Sequence, residues 1–393
     1  MRSRMNCSLS VSEAHQWALS WLLQAELLTD RRQRTCTPAV VWSIVLRAAA
    51  HLTSVFATCR DFANAPSPQA VFDALEAGLP RTLSVLEKRL HQALTDHCHR
   101  HLRRRSWQVA IDWHLVPYYG EPQRSRNELF RYKMQRGTTH FHAYASACVV
   151  QHGHRYTLAF TWVRRHESVI TVLRRLLARI GEMSVKIKVL LLDRFFFKTP
   201  VMALLQQEQV PFLMPVVASG RRPKRKNSRA AKKGWRWFKR QQAGWHRHTM
   251  KNKQAAAEFR VCVAYRSYFN RKKQCRGQQK LLFAAWRVRG TPTEIRERYR
   301  KRFGIESSFR QLRQARIYTC TRNPRLRLTF IGVALLLRNL WVWIHATLLA
   351  TGRGPTAILH LERLRFRQLL AWIAQSVAAE LHDGSTPSVR LEG

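Results

Sequence analysis

Between Trp107 and Ser219 strand-like and helix-like runs follow one another in an order that few folds accept. SWQVAIDWHLVPYYG opens with a short apolar strand that ends at Asp112 and runs into a Pro/Gly turn. GTTHFHAYASACVVQ and HRYTLAFTWV are rich in β-branched and aromatic residues and read as two further strands joined at the glycine of QHGH. ESVITVLRRLLARIGE has helical periodicity, KIKVLLLD is an apolar strand ending in Asp193, FFFKTPVMALLQQEQ is a second helix and PFLMPVVAS a final strand. Three meandering strands, helix, strand, helix, strand predict an α+β fold with a mixed sheet flanked by helices.

Acids are scarce, so their positions carry information. Between residues 101 and 200 there are Asp112, Glu121, Glu128, Glu167, Glu182 and Asp193. Two of them close apolar strands, where a rigid backbone and an open end suit the placement of a metal ligand. The plainer reading is that each aspartate caps the following turn or helix. A third acid changes the balance. EIRERYRKRFGIESSFRQLRQAR, Glu294 to Arg316, reads as one helix, and at about 100° per residue Tyr299, Arg302, Glu306 and Arg313 fall within roughly 60° of one face. Cations crowded round one carboxylate make a poor packing surface and a suitable one for a metal and a phosphate. Two strand carboxylates and one helix carboxylate have the chemistry to hold two divalent ions about 3.5–4 Å apart, as in-line displacement at phosphorus requires. Hard oxygen ligands point to Mg²⁺, with Mn²⁺ able to substitute.

The partner implied by charge is a polyanion. Lys and Arg number 69 against 23 Asp and Glu, a formal net charge of +46, far beyond what solubility needs. DNA or RNA supplies one charge per phosphate. A membrane surface is the weaker reading, and a structural basic protein of ribosomal type is the bland one.

The flanks complete the domain plan. Residues 1–105 are read as a helical DNA-binding or dimerisation region, with Ser67 capping a helix that begins at Pro68. Residues 106–219 and 293–350 form the two parts of the core. Residues 220–292 form a basic β-rich insertion: residues 221–253 hold fourteen Lys or Arg and no acid, interrupted by Trp235, Trp237 and Trp245, with strand-like EFRVCVAYRS and QKLLFAAWRV following. Residues 351–393 are a C-terminal helical region with a possible dimerisation role. LTFIGVALLLRNLWVWIHATLLA, from Leu328, is long enough to span a bilayer, but Arg338 and Asn339 at its centre favour a buried helix of a soluble protein, with no membrane partner. Eight scattered cysteines without a CxxC pair and a start without an apolar h-region suggest a cytosolic protein. The run HCHRH invites a zinc reading, but lacks a second ligand pair at finger spacing.

The strand with Asp112 and Pro117 to Gly120, the strand ending at Asp193, and Tyr299-x2-Arg302-x3-Glu306 resemble the insertion-sequence-four group of DDE transposases. The likeness runs from about residue 105 to 350 and includes GTTHFHAYA, Gly137 to Ala145. It implies an RNase H-like core with an insertion before the helix bearing the last catalytic Glu. It implies metal binding and catalysis by Asp112, Asp193 and Glu306, and contact with transposon-end phosphates by Tyr299 and Arg302. Arg310 is counted with these DNA-contacting residues. Relatives usually carry Lys seven residues after the Glu, where this chain has Arg313, which keeps the charge in a bulkier fork. His114, at a position often threonine in relatives, is assigned no catalytic duty.

The activity implied is metal-assisted hydrolysis at each element end, followed by attack of the freed 3′-OH on the opposite strand, giving a hairpin, or on target DNA. An unstacked base near the end would stack on an aromatic of the insertion, with Trp235, Trp237, Trp245 and Trp286 as candidates. The partners implied are double-stranded DNA, as terminal inverted repeats and target, and a second copy of the chain in a synaptic homodimer. A prokaryotic, cytoplasmic, nucleoid-associated location goes with these. The competing readings are a structure-specific nuclease of the same core fold and a catalytically inactive nucleic-acid-binding relative.

Overall fold

A computed structural model of the chain describes residues 9–29, 36–103, 105–121, 129–217, 237–238, 240–270, 274–352 and 357–381. Among the described residues nine strands form one sheet: β1 (Trp107–Pro117), β2 (Phe130–Gln135), β3 (Thr138–Val149), β4 (Thr157–Val163), β5 (Ile187–Leu191), β6 (Phe212–Pro215), β7 (Gly244–Lys251), β8 (Ala256–Asn270) and β9 (Cys275–Trp286). Its centre runs β4-β3-β1-β5-β6, with β3 antiparallel to β1 and β4, and β1, β5 and β6 mutually parallel. That is the strand order of an RNase H-like core. The crossovers between the parallel strands are the helices α7 (Val169–Glu182), which links β4 to β5, and α8 (Thr199–Gln207), which links β5 to β6.

Two expectations about these strands need correction. Asp112 does not end its strand: β1 continues five residues further because β3 pairs with it as far as Pro117↔Phe141. β2, a mostly exposed strand that the sequence reading had passed over, pairs with the first part of β3. The basic β-rich segment shares the core sheet, because β9 pairs antiparallel with β6 (Phe212↔Trp286) and β8 and β7 follow outward.

Alternation along the strands sends side chains to two faces. One face carries Val109 and Ile111 into the main core, which also takes in the N-terminal helices. The other carries Ala110, Val189, Leu191 and Leu213 into a second, smaller cluster with Ile295 and Ile305.

The remaining helices are α1 (Val11–Gln24), α2 (Pro38–Ala50), α3 (Val55–Arg60), α4 (Pro68–Gly78), α5 (Leu83–Thr95), α6 (His99–Arg103), α9 (Pro292–Arg300), α10 (Phe303–Leu312), α11 (Pro324–Thr347) and α12 (Phe366–Leu381). Their starts follow local chemistry. The Ser67 hydroxyl accepts from Ala70 N ahead of Pro68, and Thr291 with Glu294 makes a reciprocal capping box ahead of Pro292.

α11 packs on α5, α2 and α1, and α12 packs on α1 and α2. Among the described helices only α11 is long and apolar enough to cross a membrane, yet 94% of its most apolar window is buried inside the protein. The two polar residues at its centre explain the inward position. Asn339 Nδ2 donates to Leu94 O (3.0 Å) and Thr157 O (2.9 Å), and its Oδ1 accepts from Thr157 N (2.8 Å). One buried amide therefore joins α11, α5 and the start of β4. Beside it, Arg338 donates from Nε to Gln311 on α10 (3.2 Å). Burial pushes its guanidinium down to about 10.

Asn339→Leu leaves three buried backbone groups unpaired, at about 1–3 kcal/mol each. It is expected to remove at least about 3 kcal/mol of stability in a urea titration. A second expectation concerns acid. Burial pushes His91 and His142 down to about 3, and His114 and His154 to about 4. An unfolded histidine takes a proton near pH 6.5, so as pH falls through the window from about 6.5 to 4 the unfolded chain binds more protons and stability is lost. Each neutral imidazole costs roughly 2 kcal/mol at pH 5. Asp112 and Glu87, both raised by burial, work in the opposite sense but are outnumbered. The melting temperature is expected to fall between pH 7 and 5, with a shallower slope in His91→Gln.

Candidate active site

The two aspartates are brought together by strand register. Ala110 on β1 pairs with Leu191 on β5, the last pairing between these parallel strands. Asp112 and Asp193 each lie two residues further on, so both belong to the face that carries Ala110 and Leu191. Asp112 accepts from the Trp113 N–H through Oδ1 (2.9 Å), and Asp193 caps the 3₁₀ turn Arg194–Phe196 by accepting from Phe195 N (2.8 Å). The capping reading is therefore true of Asp193, and it occupies one of two oxygens. Oδ2 of each aspartate faces Arg302.

The segment from Glu294 to Arg316 is not the single helix expected. α9 ends at Arg300, α10 begins at Phe303, and the joint is a tightened turn. There Lys301, Arg302, Gly304 and Ile305 donate to the carbonyls of Arg298, Tyr299, Lys301 and Arg302, each three residues back. The second apolar cluster supplies a reason. Ile295 and Ile305 are both fully buried in it. Ten residues apart, they would diverge by roughly 80° on a regular α-helix, and about four residues wound at ~120° each bring them into line.

This joint places Arg302 at the centre of the site. Its Nη2 lies 3.3 Å from Asp112 Oδ2 and 3.9 Å from Asp193 Oδ2, and its Nη1 lies 3.2 Å from Glu306 Oε1. The structure thus draws Asp112, Asp193, Glu306 and Arg302 to one point, although residue numbers separate them widely. Arg302 is only 8% exposed. Burial raises Asp112 to about 6, against the opposing pull of Arg302 and the Trp113 N–H and with the added repulsion of Asp193 and Glu306. The donor set, three carboxylates gathered at one point, has the hard-oxygen chemistry of a divalent-cation site. Among the described residues no three His, Cys, Asp or Glu side chains close on a common metal position, because here the carboxylates gather round the guanidinium.

Tyr299 sits on the last turn of α9 and donates to Leu192 O (3.2 Å), tying α9 to the residue before Asp193. Its ring packs against Phe283 of β9, and burial raises its phenol well above the usual range. Arg313, exposed at the end of α10, lines a cleft of about 270 Å³ with Asp112 and Asp193. His114 forms part of the same wall, its ring against Phe309. Arg310 is exposed and is not among the residues lining that cleft.

The tryptophans of the basic segment take other places. Trp286 stacks on Phe212, Trp237 lies over His248, and Trp245 donates to Gly290 O under the guanidinium of Arg260. None of these three lines the cleft, and Trp235 is outside the described residues. The aromatics that do line it are Trp113, Phe130, Tyr132, Phe195, Phe196 and Phe309. Sequence reasoning missed them, although Trp113 directly follows Asp112 and the run Phe195–Phe197 follows Asp193 two residues on.

Comparison with known proteins adds the decisive observation. The family described as "Transposase DDE domain" matches residues 103–340, more than half of the chain and all of the elements that carry these carboxylates. The chain belongs to the DDE transposase family. It is a transposase, a DNA-cleaving enzyme, and its class works with divalent metal ions. Among solved structures a distant likeness is the piggyBac transposase synaptic complex with hairpin DNA, at 10% identity and a TM-score of 0.49, covering 95% of this chain and 78% of that one. No curated protein gives a significant sequence match.

In this transposase Tyr299→Phe removes only the hydrogen bond to Leu192. It is expected to lower the unfolding free energy by about 1 kcal/mol in a denaturant titration while leaving the circular dichroism spectrum unchanged.

Proposed function

We propose that this DDE transposase is of the insertion-sequence-four type, a cut-and-paste enzyme that frees the ends of a DNA element, through hairpin ends, and joins them to target DNA. Asp112, Asp193 and Glu306 would hold two Mg²⁺ ions, for which Mn²⁺ can substitute; when bound, these supply an activated attacking oxygen and charge stabilisation for the leaving one. The observation that carries this reading is the convergence of the three carboxylates on one guanidinium, two from adjacent strands in register and one from the helix behind them.

The chain's own residues then have separable duties. Parallel pairing of β1 and β5 holds the aspartates side by side, so that most of the positioning is done before substrate arrives. Tyr299 ties α9, and through it the tightened turn, to the residue before Asp193. Arg313 and the aromatic wall of the cleft flank the carboxylates, a cation for a backbone phosphate and π-faces for an unpaired base. The net charge of +46 supplies sequence-independent attraction for both the element ends and the target. Two ends must be cut and joined in concert, which favours a synaptic homodimer acting on terminal inverted repeats in a cytoplasmic, nucleoid-associated setting.

Asp193→Asn tests the assignment cleanly, because asparagine keeps the cap on Phe195 N while removing the charge. Cleavage of an end oligonucleotide and joining of a pre-cleaved end in Mg²⁺ are both expected to fall at least about 100-fold, with the melting temperature little changed. Unchanged activity would refute the site, and cleavage by the wild type without a joined product would favour a nuclease.

A further inference from the structure

The guanidinium of Arg302 stands where the three carboxylates meet, and its hold on them is loose. Its two hydrogen bonds, to Asp112 Oδ2 and Glu306 Oε1, are 3.3 and 3.2 Å, and the third carboxylate lies 3.9 Å away. Charge-assisted bonds of this kind ordinarily close to about 2.7–2.9 Å. Arg175 shows what a firm one looks like in the same protein. It reaches Glu167 at 2.6 and 3.1 Å and Trp162 O at 2.6 Å, gripping two acceptor groups with one fork. Arg302 instead spreads single contacts over several acceptors. One positive charge faces three carboxylates, so the cluster is held together but under-neutralised.

The backbone under this side chain is also suited to moving it. Arg302 lies in the tightened turn between α9 and α10, where the α-helical ladder is interrupted on both sides. Its Nη2 lies 3.3 Å from Asp112 Oδ2, and Asp112 lines, with Asp193 and the cationic Arg313, the cleft of about 270 Å³ described above. A DNA phosphate drawn into that cleft beside Asp112 would lie near the guanidinium, offering it a bidentate partner in place of scattered single contacts.

We propose that Arg302 is an internal counter-ion that competes with divalent cations for Asp112, Asp193 and Glu306, and that DNA phosphate, by drawing the guanidinium away, opens the carboxylates to them. This inference rests on the metal-binding reading of the three acids. Its consequence is thermodynamic. If phosphate and cation both depend on the position of one side chain, each must strengthen the other's binding by the same factor. The free protein is thereby kept from assembling a loaded site away from DNA.

The test is Mn²⁺ binding at pH 7.5, followed by electron paramagnetic resonance, without DNA and then with a short duplex of arbitrary sequence. Without DNA, Arg302→Gln is expected to bind Mn²⁺ about 10-fold or more tightly than the wild type. Arg313→Gln removes an equal charge from the same cleft, but Arg313 makes no ion pair with these acids. It should change affinity by less than about 3-fold. Added duplex should tighten Mn²⁺ binding more in the wild type than in Arg302→Gln. Equal gains in the two variants would reduce the effect to a general field and overturn the proposal, as would Mn²⁺ binding without DNA that is no tighter in Arg302→Gln than in the wild type. Arg302→Lys, which keeps the charge on a thinner side chain, should fall between wild type and Arg302→Gln, and circular dichroism checks that each variant is folded. The underlying reading is tested apart: if adding Asp112→Asn to Arg302→Gln leaves Mn²⁺ binding unchanged, these acids are not the ligands.

Discussion

Everything at the site depends on the pairing of β1 with β5. Parallel strands must be brought together across a long connection, here β2, β3, β4 and α7, and the pair then ends at Ala110↔Leu191. That single register puts Asp112 and Asp193 at equivalent positions on one face of the sheet. A slip of one residue would send one of them to the opposite face, into the main core where Val109 and Ile111 lie. The alternation of β1 prevents the slip, because each of its two faces is packed against a different apolar cluster.

The second constraint is the smaller cluster itself. It receives Ile295 from α9 and Ile305 from α10, and to accept both the chain tightens between them. The tightening carries Arg302 inward and leaves Glu306 at the rim, with its side chain 51% exposed. A packing demand of two isoleucines thus shapes the electrostatics of the site next to them. The main core contributes from behind: Gln311 on α10 receives the buried Arg338 of α11, and Asn339 of the same helix fastens β4. The apolar segment that by composition passes for a membrane span is the strut on which the N-terminal helices and the sheet are joined.

Much of this was legible in the chain. The strands from Trp107 to Pro215, with the exception of β2, and the crossover helices between them announce themselves by period, because each buries a defined face. The cap at Ser67 and the inward position of Arg338 and Asn339 follow from elementary costs of unpaired polar groups. The three acids stood out because acids are rare in this sequence. β2 carries a period-two signal, Phe130, Tyr132 and Met134 alternating with Arg131, Lys133 and Gln135, but it is only six residues long and mostly exposed, so it buries no face that would set it apart from a loop. The joint in α9–α10 escaped because no glycine or proline marks Lys301–Arg302, and the cause lies in packing against a distant sheet. The tryptophans of the basic segment drew attention by composition, yet Trp237 and Trp245 pack within that segment and Trp286 seats its last strand on β6, while the cleft aromatics come mainly from the strands and turns beside the aspartates.

Alone, the sequence determined which acids were available, which segments are strands or helices, and that the partner is a polyanion, since composition and periodicity are local quantities. Tertiary structure decided three things that no local pattern encodes. The register of a parallel pair whose members lie some eighty residues apart set Asp112 beside Asp193. The sheet edge at β6 absorbed β9 and, with it, β8 and β7 of the basic segment. Arg302 turned toward the carboxylates because the nearest opposite charges in a half-buried site attract more strongly than solvent does.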